Sequence, residues 1–176
     1  LNMGKARFEA LITTKEENEG RLTANPYGFD EVEFMISANP GEEVKPLAKI
    51  ASGGELSRIM LALKTVLSEN DETETLIFDE IDTGIGGEVA LSLASHIKKL
   101  SEKKQILCIT HLAVIASHAD NHVKVEKQVR DGNTFTEAFI IENEKRVEEI
   151  ARMLSGDEQS PVAFNHALQL LEKYSR

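Results

Sequence analysis

Cysteine is nearly missing from this chain, and so are long apolar runs, internal repeats, low-complexity segments and any surplus of positive charge. The single thiol, Cys108, excludes a disulfide framework and fits a reducing compartment. It sits in the apolar run Ile106-Leu107-Cys108-Ile109, the setting of a buried, inert thiol and not of a nucleophile. No apolar stretch approaches the roughly 20 residues that span a bilayer, and no signal-peptide pattern opens the sequence. A cytoplasmic location is the expectation. Twenty basic side chains stand against thirty acidic ones, a net charge of −10. A surface of that sign repels phosphate backbones, which excludes the chain as a major DNA-binding face by itself and leaves room only for a local basic patch. Position 1 is Leu rather than Met, and the pattern opens in mid-course, which points to a piece of a longer polypeptide.

What is present suffices for one globular domain with a real core over residues 1–176, with 41% hydrophobic and 28% charged residues. The most informative stretch is Ala51-Ser52-Gly53-Gly54-Glu55-Leu56-Ser57-Arg58. After it, apolar residues at Leu56, Ile59, Met60, Leu63, Val66 and Leu67 mark the stripe of an amphipathic helix. Ser52 and Glu55 form a capping-box pattern at its start. A plain cap gains nothing from two glycines, each costing up to about 1 kcal/mol in a helix. A glycine pair does let an anion approach the open N–H groups at the positive end of the helix dipole. The stretch therefore reads as a phosphate-binding helix N-terminus.

Around this helix the chain divides by texture. Ala6 to Thr13 alternates like a strand, the polar Lys15–Gly20 segment links it to Asn25-Pro26-Tyr27-Gly28, and Val32, Phe34 and Ile36 predict a second, antiparallel strand. Asn39-Pro40-Gly41 ends it. Farther on, Thr75-Leu76-Ile77-Phe78 and Gln105-Ile106-Leu107-Cys108-Ile109-Thr110 have the look of strands buried on both faces. Val89, Leu93, Ile97 and Leu100 mark a helix between them, which makes a βαβ unit with parallel strands. A short helix after His111, a hairpin around Asp131-Gly132-Asn133 and two closing helices complete the pattern. One closing helix stops at Gly156, and the other is capped by Ser160 with Pro161 in its first position. The fold class is α/β, with a parallel βαβ core in a mixed sheet flanked by helices, antiparallel N-terminal strands and a hairpin.

Ligands of parallel sheets bind outside the carboxyl ends of the strands. Here those ends carry Asp79-Glu80 and Thr110-His111. Two adjacent carboxylates suit magnesium-nucleotide chemistry, one holding the metal and the other polarising an attacking water. An imidazole on the next strand end can contact a terminal phosphate or orient that water.

Together these residues resemble those of ABC-type ATPases. Ser52-Gly53-Gly54-Glu55 is similar to their signature motif, Leu76-Ile77-Phe78-Asp79-Glu80 to their Walker B strand, and His111 to their switch histidine. Glutamate at the fourth signature position and the Ile-Asp after Glu80 are similar to the SMC-like branch. The phrases Ser37 to Glu42, Lys45 to Lys49 and Asp79 to Gly87 resemble the C-terminal part of the RecN family of bacterial double-strand-break repair proteins, and the likeness runs from about Met3 to the end. The resemblance implies the C-terminal lobe of an ABC/SMC-type ATPase head, using ATP and Mg2+. Ser52, Gly53, Gly54 and Glu55 would clasp the γ-phosphate of ATP held by a second head in an ATP-sandwiched homodimer. Asp79 would serve Mg2+, Glu80 would be the general base, and His111 would sense or stabilise the γ-phosphate. Implied partners are the N-terminal Walker A lobe of the same protein and DNA engaged through the complete protein, on the bacterial nucleoid.

Two departures stand out. The phosphate loop G-x-x-x-x-G-K-[ST] is missing, because the one Gly-Lys pair, Gly4-Lys5, is followed by Ala6. The chain should thus hold half an active site and hydrolyse ATP poorly or not at all alone. Many relatives also place an aspartate where Gly86 stands in the D-loop; Asp82 is the candidate to take over part of that cross-dimer role. Four rival readings exist. Asp79-Glu80-Ile81-Asp82 matches the D-E-x-D core of helicases, without their arginine-rich late motif. His118, Asp120 and His122 have zinc-like spacing but lack cysteine and a fourth ligand, so a solvated polar turn is expected. A non-catalytic domain that docks in response to ATP, or the head of another SMC-like chromosome-maintenance ATPase, would use the same motifs.

Overall fold

The structure, a computed structural model, describes residues 6–14, 16–17, 21–22, 24–37, 41–49, 52–68, 71–156 and 160–174. Met3 to Lys5, Asn39-Pro40, Ala51 and most of the Lys15–Gly20 link lie outside the described residues. In chain order the strands are β1 (Arg7–Thr14), β2 (Glu16–Glu17), β3 (Arg21–Leu22), β4 (Asp30–Ser37) and β5 (Lys45–Pro46), followed by a 3-10 turn at Leu47–Lys49. Then come α1 (Gly53–Leu67), β6 (Thr75–Phe78), α2 (Gly87–Ser101), β7 (Gln105–Cys108) and α3 (Ala113–Ser117). The hairpin β8 (His122–Arg130) and β9 (Asn133–Ile141) precedes α4 (Asn143–Ser155) and α5 (Pro161–Tyr174). No helix among the described residues is long and apolar enough to cross a membrane.

The architecture is α/β, with parallel and antiparallel pairing carried by separate sheets. β6 and β7 pair in parallel, from Thr75 with Gln105 to Phe78 with Cys108, joined through α2 as a βαβ unit. α2 buries Ala90, Leu93, Ala94, Ile97 and Leu100, and its core with Leu76, Phe78, Ile81 and Leu61 covers one face of the pair. The other face corrects the expectation of strands buried on both sides. Ile77 is 67% exposed, Leu107 49% and Ile109 59%. Side chains alternate across a strand, so a helix layer on one side leaves every second residue uncovered.

Helix α1 begins as its sequence implies, with the Ser52 hydroxyl accepting from the Glu55 N–H at 3.4 Å. Its buried face differs from the apolar stripe. Gly54, Ile59 and Leu61 are buried, whereas Leu56, Met60, Val66 and Leu67 are exposed. The helix leans its Gly54, Arg58 and Leu61 side on the loop after β6. Leu56, Met60 and Lys64 are left lining an open groove with Leu76 and Ile77.

β1 and β4 pair antiparallel over their full length, Arg7 opposite Ser37 through Thr14 opposite Asp30, with the Phe8 and Phe34 rings 5.3 Å apart. The β8–β9 hairpin turns at Asp131-Gly132, both with positive φ (52° and 77°), the geometry that a two-residue hairpin loop demands. Gly156 ends α4 with φ 74° and donates to the Arg152 carbonyl at 2.7 Å. Ser160 caps α5, accepting from Ala163 N–H at 3.4 Å. Small residues (Ala151, Ala163 and Ala167) let α4 and α5 pack closely. Leu154 and Leu168, apolar positions of these helices, remain partly exposed at 37% and 36%. α3 ties the halves together, with Ile115 in the α2 core and Ala113 and Ala116 in the α4–α5 core.

Glu149, buried on α4, pairs with Arg152 at 2.5 Å and with Lys124 of β8 at 2.9 Å. Burial pushes its carboxyl upward, but hydrogen bonds from Arg152 and Lys124 outweigh this and hold it below the usual carboxylate range. A carboxyl depressed on folding stabilises the fold above its unfolded value, here 4.5, and loses that contribution as pH falls through the folded value. Urea unfolding of Glu149→Gln against pH should show a shallower acid limb than the parent. Core and open face give a second contrast. Leu93→Ala should cost about 2–5 kcal/mol, and Leu107→Ala about 0.5 kcal/mol or less. Equal losses in urea melts would mean that the Leu107 face is covered.

Candidate functional site

Parallel pairing brings the chemistry-bearing residues to one edge. The Ile109 N–H donates to the Phe78 carbonyl at 2.9 Å, so Asp79-Glu80 and Thr110-His111 leave the sheet side by side. Asp79 and Glu80 are exposed. The Asp79 carboxylate accepts from the Glu80 N–H at 2.9 Å. Glu80 adopts φ 56°, a left-handed conformation uncommon in residues with a side chain and costing on the order of 1–3 kcal/mol. That bend turns the strand into a tight loop closed by Thr83 N–H to Glu80 O at 3.0 Å, with Ile81 anchored in the core.

The start of α1 docks onto this loop. The Ser57 hydroxyl donates to the Asp79 carbonyl at 3.0 Å, and Arg58 Nη1 donates to the Ile81 and Thr83 carbonyls, both at 3.1 Å. A Cβ at Gly54 would lie 3.0 Å from the Glu80 carbonyl oxygen and 3.2 Å from Thr83 Cβ; one at Gly53 would lie 2.8 Å from Glu80 Oε2. Glycine at 54 is what lets the helix backbone meet the loop backbone. The glycine-paired helix start and the acidic strand tip are thus in contact within one chain. The Glu80 carboxylate rests at the positive end of the α1 dipole.

This placement refines the expected phosphate motif. Gly54 is buried, packed on the loop after β6, where an added Cβ would meet the Glu80 carbonyl oxygen and Thr83. Gly53 is exposed, and Ser52 and Glu55 are half-buried. Asp82 is buried as well. Its carboxylate is buried on its own chain, accepting from Thr110 Oγ1 at 2.5 Å and the His111 N–H at 3.0 Å, with His111 Nδ1 at 3.1 Å. Gly86 is exposed and extended, the N-cap of α2. The His111 side chain is 72% exposed.

Elsewhere the spaced histidines hold no metal-like cluster, and none exists among the described residues. His118 is buried, not solvated, its ring stacked 4.0 Å from that of Tyr174 and its Nδ1 2.7 Å from the Val114 carbonyl. Burial pushes His118 and His122 below the ordinary imidazole range. Asp120 pairs with Lys98. Burial, reinforced by Asp82 and Asp79, pushes the Cys108 thiol up to about 12, so it stays protonated and unreactive.

The sequence placed Thr110 at the strand end without a role, and it gave Arg58 none. Each acts through a partner more than 20 positions away.

These elements define a class. The SMC head domain with coiled coil and joint from Pyrococcus yayanosii superposes at a TM-score of 0.51 over 96% of this chain and 26% of that one, with 21% identity. The fold is that of an SMC-type head. No family model matches the chain. DNA repair protein RecN of Treponema pallidum is 57% identical over all 176 residues. RecN of Halalkalibacterium halodurans is 46% identical over 98% of the chain. The chain belongs to the RecN family and matches the C-terminal part of its members. It spans 31% and 30% of the length of these two relatives.

The contact between glycine pair and loop carries a prediction. Gly53→Ala meets only the mobile end of Glu80, so stability should hold or rise, by up to about 1 kcal/mol from helix propensity, while the carboxylate is displaced. Gly54→Ala meets backbone pinned by Arg58, and about 1–3 kcal/mol of overpacking should outweigh the same gain. Thermal melts that rank the two variants in the opposite order would contradict this docking.

Proposed function

We propose that this chain is the C-terminal lobe of an SMC-like ATPase head that binds and hydrolyses ATP in DNA double-strand-break repair and recombination. The observation that carries it is the shared edge, where two exposed carboxylates, an exposed imidazole and a glycine-opened helix start meet around the ends of a parallel strand pair. Residues 1–176 would act as one unit, half of a split head. The phosphate loop and adenine pocket would come from the N-terminal lobe. The uncovered Ile77, Leu107 and Ile109 face supports the docking of such a lobe.

The residues present fit magnesium. Mg2+ keeps several waters and takes only one or two carboxylates beside substrate phosphates, and Asp79 offers an exposed carboxylate at the strand tip. Bound magnesium-ATP supplies the γ-phosphoryl group with its charge partly neutralised. Asp79 would hold that ion. The Glu80 carboxylate, held by its bent backbone, would take a proton from the attacking water. His111 would present its outer ring edge to the γ-phosphate. Ser52, Gly53 and Glu55 form the accessible part of the helix start, and would meet the phosphate bound by a second head in an ATP-sandwiched homodimer. With a net charge of −10, DNA would be engaged through other parts of the complete protein, in the bacterial cytoplasm on the nucleoid.

The test is co-expression with the Walker A lobe, followed by ATPase assays with and without DNA ends. The chain alone should turn over ATP slowly or not at all. In the reunited head, Glu80→Gln should keep ATP binding and lower turnover by about 10²–10⁴-fold; unchanged turnover would leave a domain that only docks in response to ATP. Ser52→Arg should abolish ATP-dependent dimers in sedimentation, and dimers that persist would reject the trans role of Ser52.

A further inference from the structure

Asp82 does none of the work assigned so far to the acidic strand tip. It is 2% exposed, and its Oδ2 accepts two hydrogen bonds from one dipeptide of the neighbouring strand end and lies beside that dipeptide's imidazole. Thr110 Oγ1 lies at 2.5 Å, the His111 backbone nitrogen at 3.0 Å and His111 Nδ1 at 3.1 Å. The hydrogens can be followed. Thr110 Oγ1 accepts from the Leu112 N–H at 3.0 Å, so its own hydrogen points to Asp82. The His111 backbone N–H can only donate. An ionised carboxylate only accepts, so the hydrogen on the ring must sit on Nδ1 for this contact to be attractive. That leaves Nε2 on the ring's outer side, a lone-pair acceptor in the neutral ring and a donor in the charged one.

On the reading that His111 meets the γ-phosphate, we propose that Asp82 is a positioning residue that fixes the tautomer and orientation of His111 and presents Nε2 to the nucleotide. The same oxygen ties Thr110 and the His111 backbone to the loop that carries Asp79 and Glu80, so base and imidazole are set by one buried carboxylate. A carboxylate that merely held the strand end would satisfy the backbone and Thr110 without choosing a ring nitrogen.

Two-bond nitrogen–hydrogen correlations on the chain labelled with 15N-histidine, at a pH where the ring is neutral, read the tautomer directly. The hydrogen of His111 should sit on Nδ1, and finding it on Nε2 overturns the proposal without any variant. Asp82→Ala should release that preference, with folding checked by circular dichroism. In the reunited head it should lower kcat by about 10- to 100-fold, with KM for ATP little changed. Asp82→Asn keeps an acceptor oxygen and should restore most of the turnover. Wild-type kcat in Asp82→Ala would overturn the positioning role. Wild-type turnover in His111→Ala would instead remove the phosphate contact of His111 while leaving the tautomer result intact, so the two failures are distinguishable.

Discussion

One backbone hydrogen bond fixes the geometry of the site: the Ile109 N–H on the Phe78 carbonyl, the last rung of a parallel ladder only four residues deep. Parallel strands present their carboxyl ends at the same edge, and Asp79, Glu80, Thr110 and His111 all lie within two residues of that rung. A slip of one residue would turn Phe78 out of the core and the acidic tip away from His111. Register is held by what the strands bury, with Leu76 and Phe78 inward against Leu93 and Ile97. The chemistry at the tip is thus a consequence of core packing at α2. Further contacts then narrow the freedom of the tip. Arg58 grips the loop carbonyls from one side, and Asp82 grips Thr110-His111 from the other.

The distribution of apolar surface is the second constraint. An open face of Ile77, Leu107 and Ile109, the exposed Leu56–Met60 side of α1, and the exposed Val123, Val125 and Ile140 of the hairpin lie on different elements. Each would lose favourable free energy to water at about 25 cal/mol per Å². Scattered apolar side chains are ordinary on a surface, but a parallel sheet bare on one side is not, since such sheets are normally covered on both faces. This agrees with a chain that spans under a third of its relatives' length.

Much of this was legible in the sequence, and the exceptions share a cause. The strands, the parallel connection, the hairpin turn and the helix ends are local signals, set by alternation, by Ser52 and Ser160 as caps, and by Gly132 and Gly156 at positive φ. The near-continuous apolar runs at 75–78 and 105–110 were read rightly as strands but wrongly as buried on both faces. Apolar composition alone cannot tell a strand with one packed face from a strand with two. The buried face of α1 misled for a related reason. Its apolar stripe counts Leu56, Met60 and Val66, while the side that touches the rest of the chain is built from glycine and arginine, whose burial comes from close approach and hydrogen bonding rather than hydrophobicity. The partners of Asp82 within the chain were not legible, because sequence spacing cannot show that Thr110 and His111, 28 and 29 residues on, come back beside it.

The glycine pair makes the same point about what a motif encodes. From sequence alone, two glycines at a helix start are explained by access for an anion. In the fold they have separate duties. Gly53 stays open beside the Glu80 carboxylate, and Gly54 is spent on bringing the helix backbone to within contact of the Glu80 carbonyl. Helix α1 is bound to the Asp79–Thr83 loop by that contact and by hydrogen bonds from Ser57 and Arg58. A displacement of α1 that left the loop behind would have to break those bonds, and leaving the part-buried Ile81 carbonyl unpaired costs more than the bond contributes net. Helix start and acidic tip therefore move as one body, held together by a glycine too small to keep them apart.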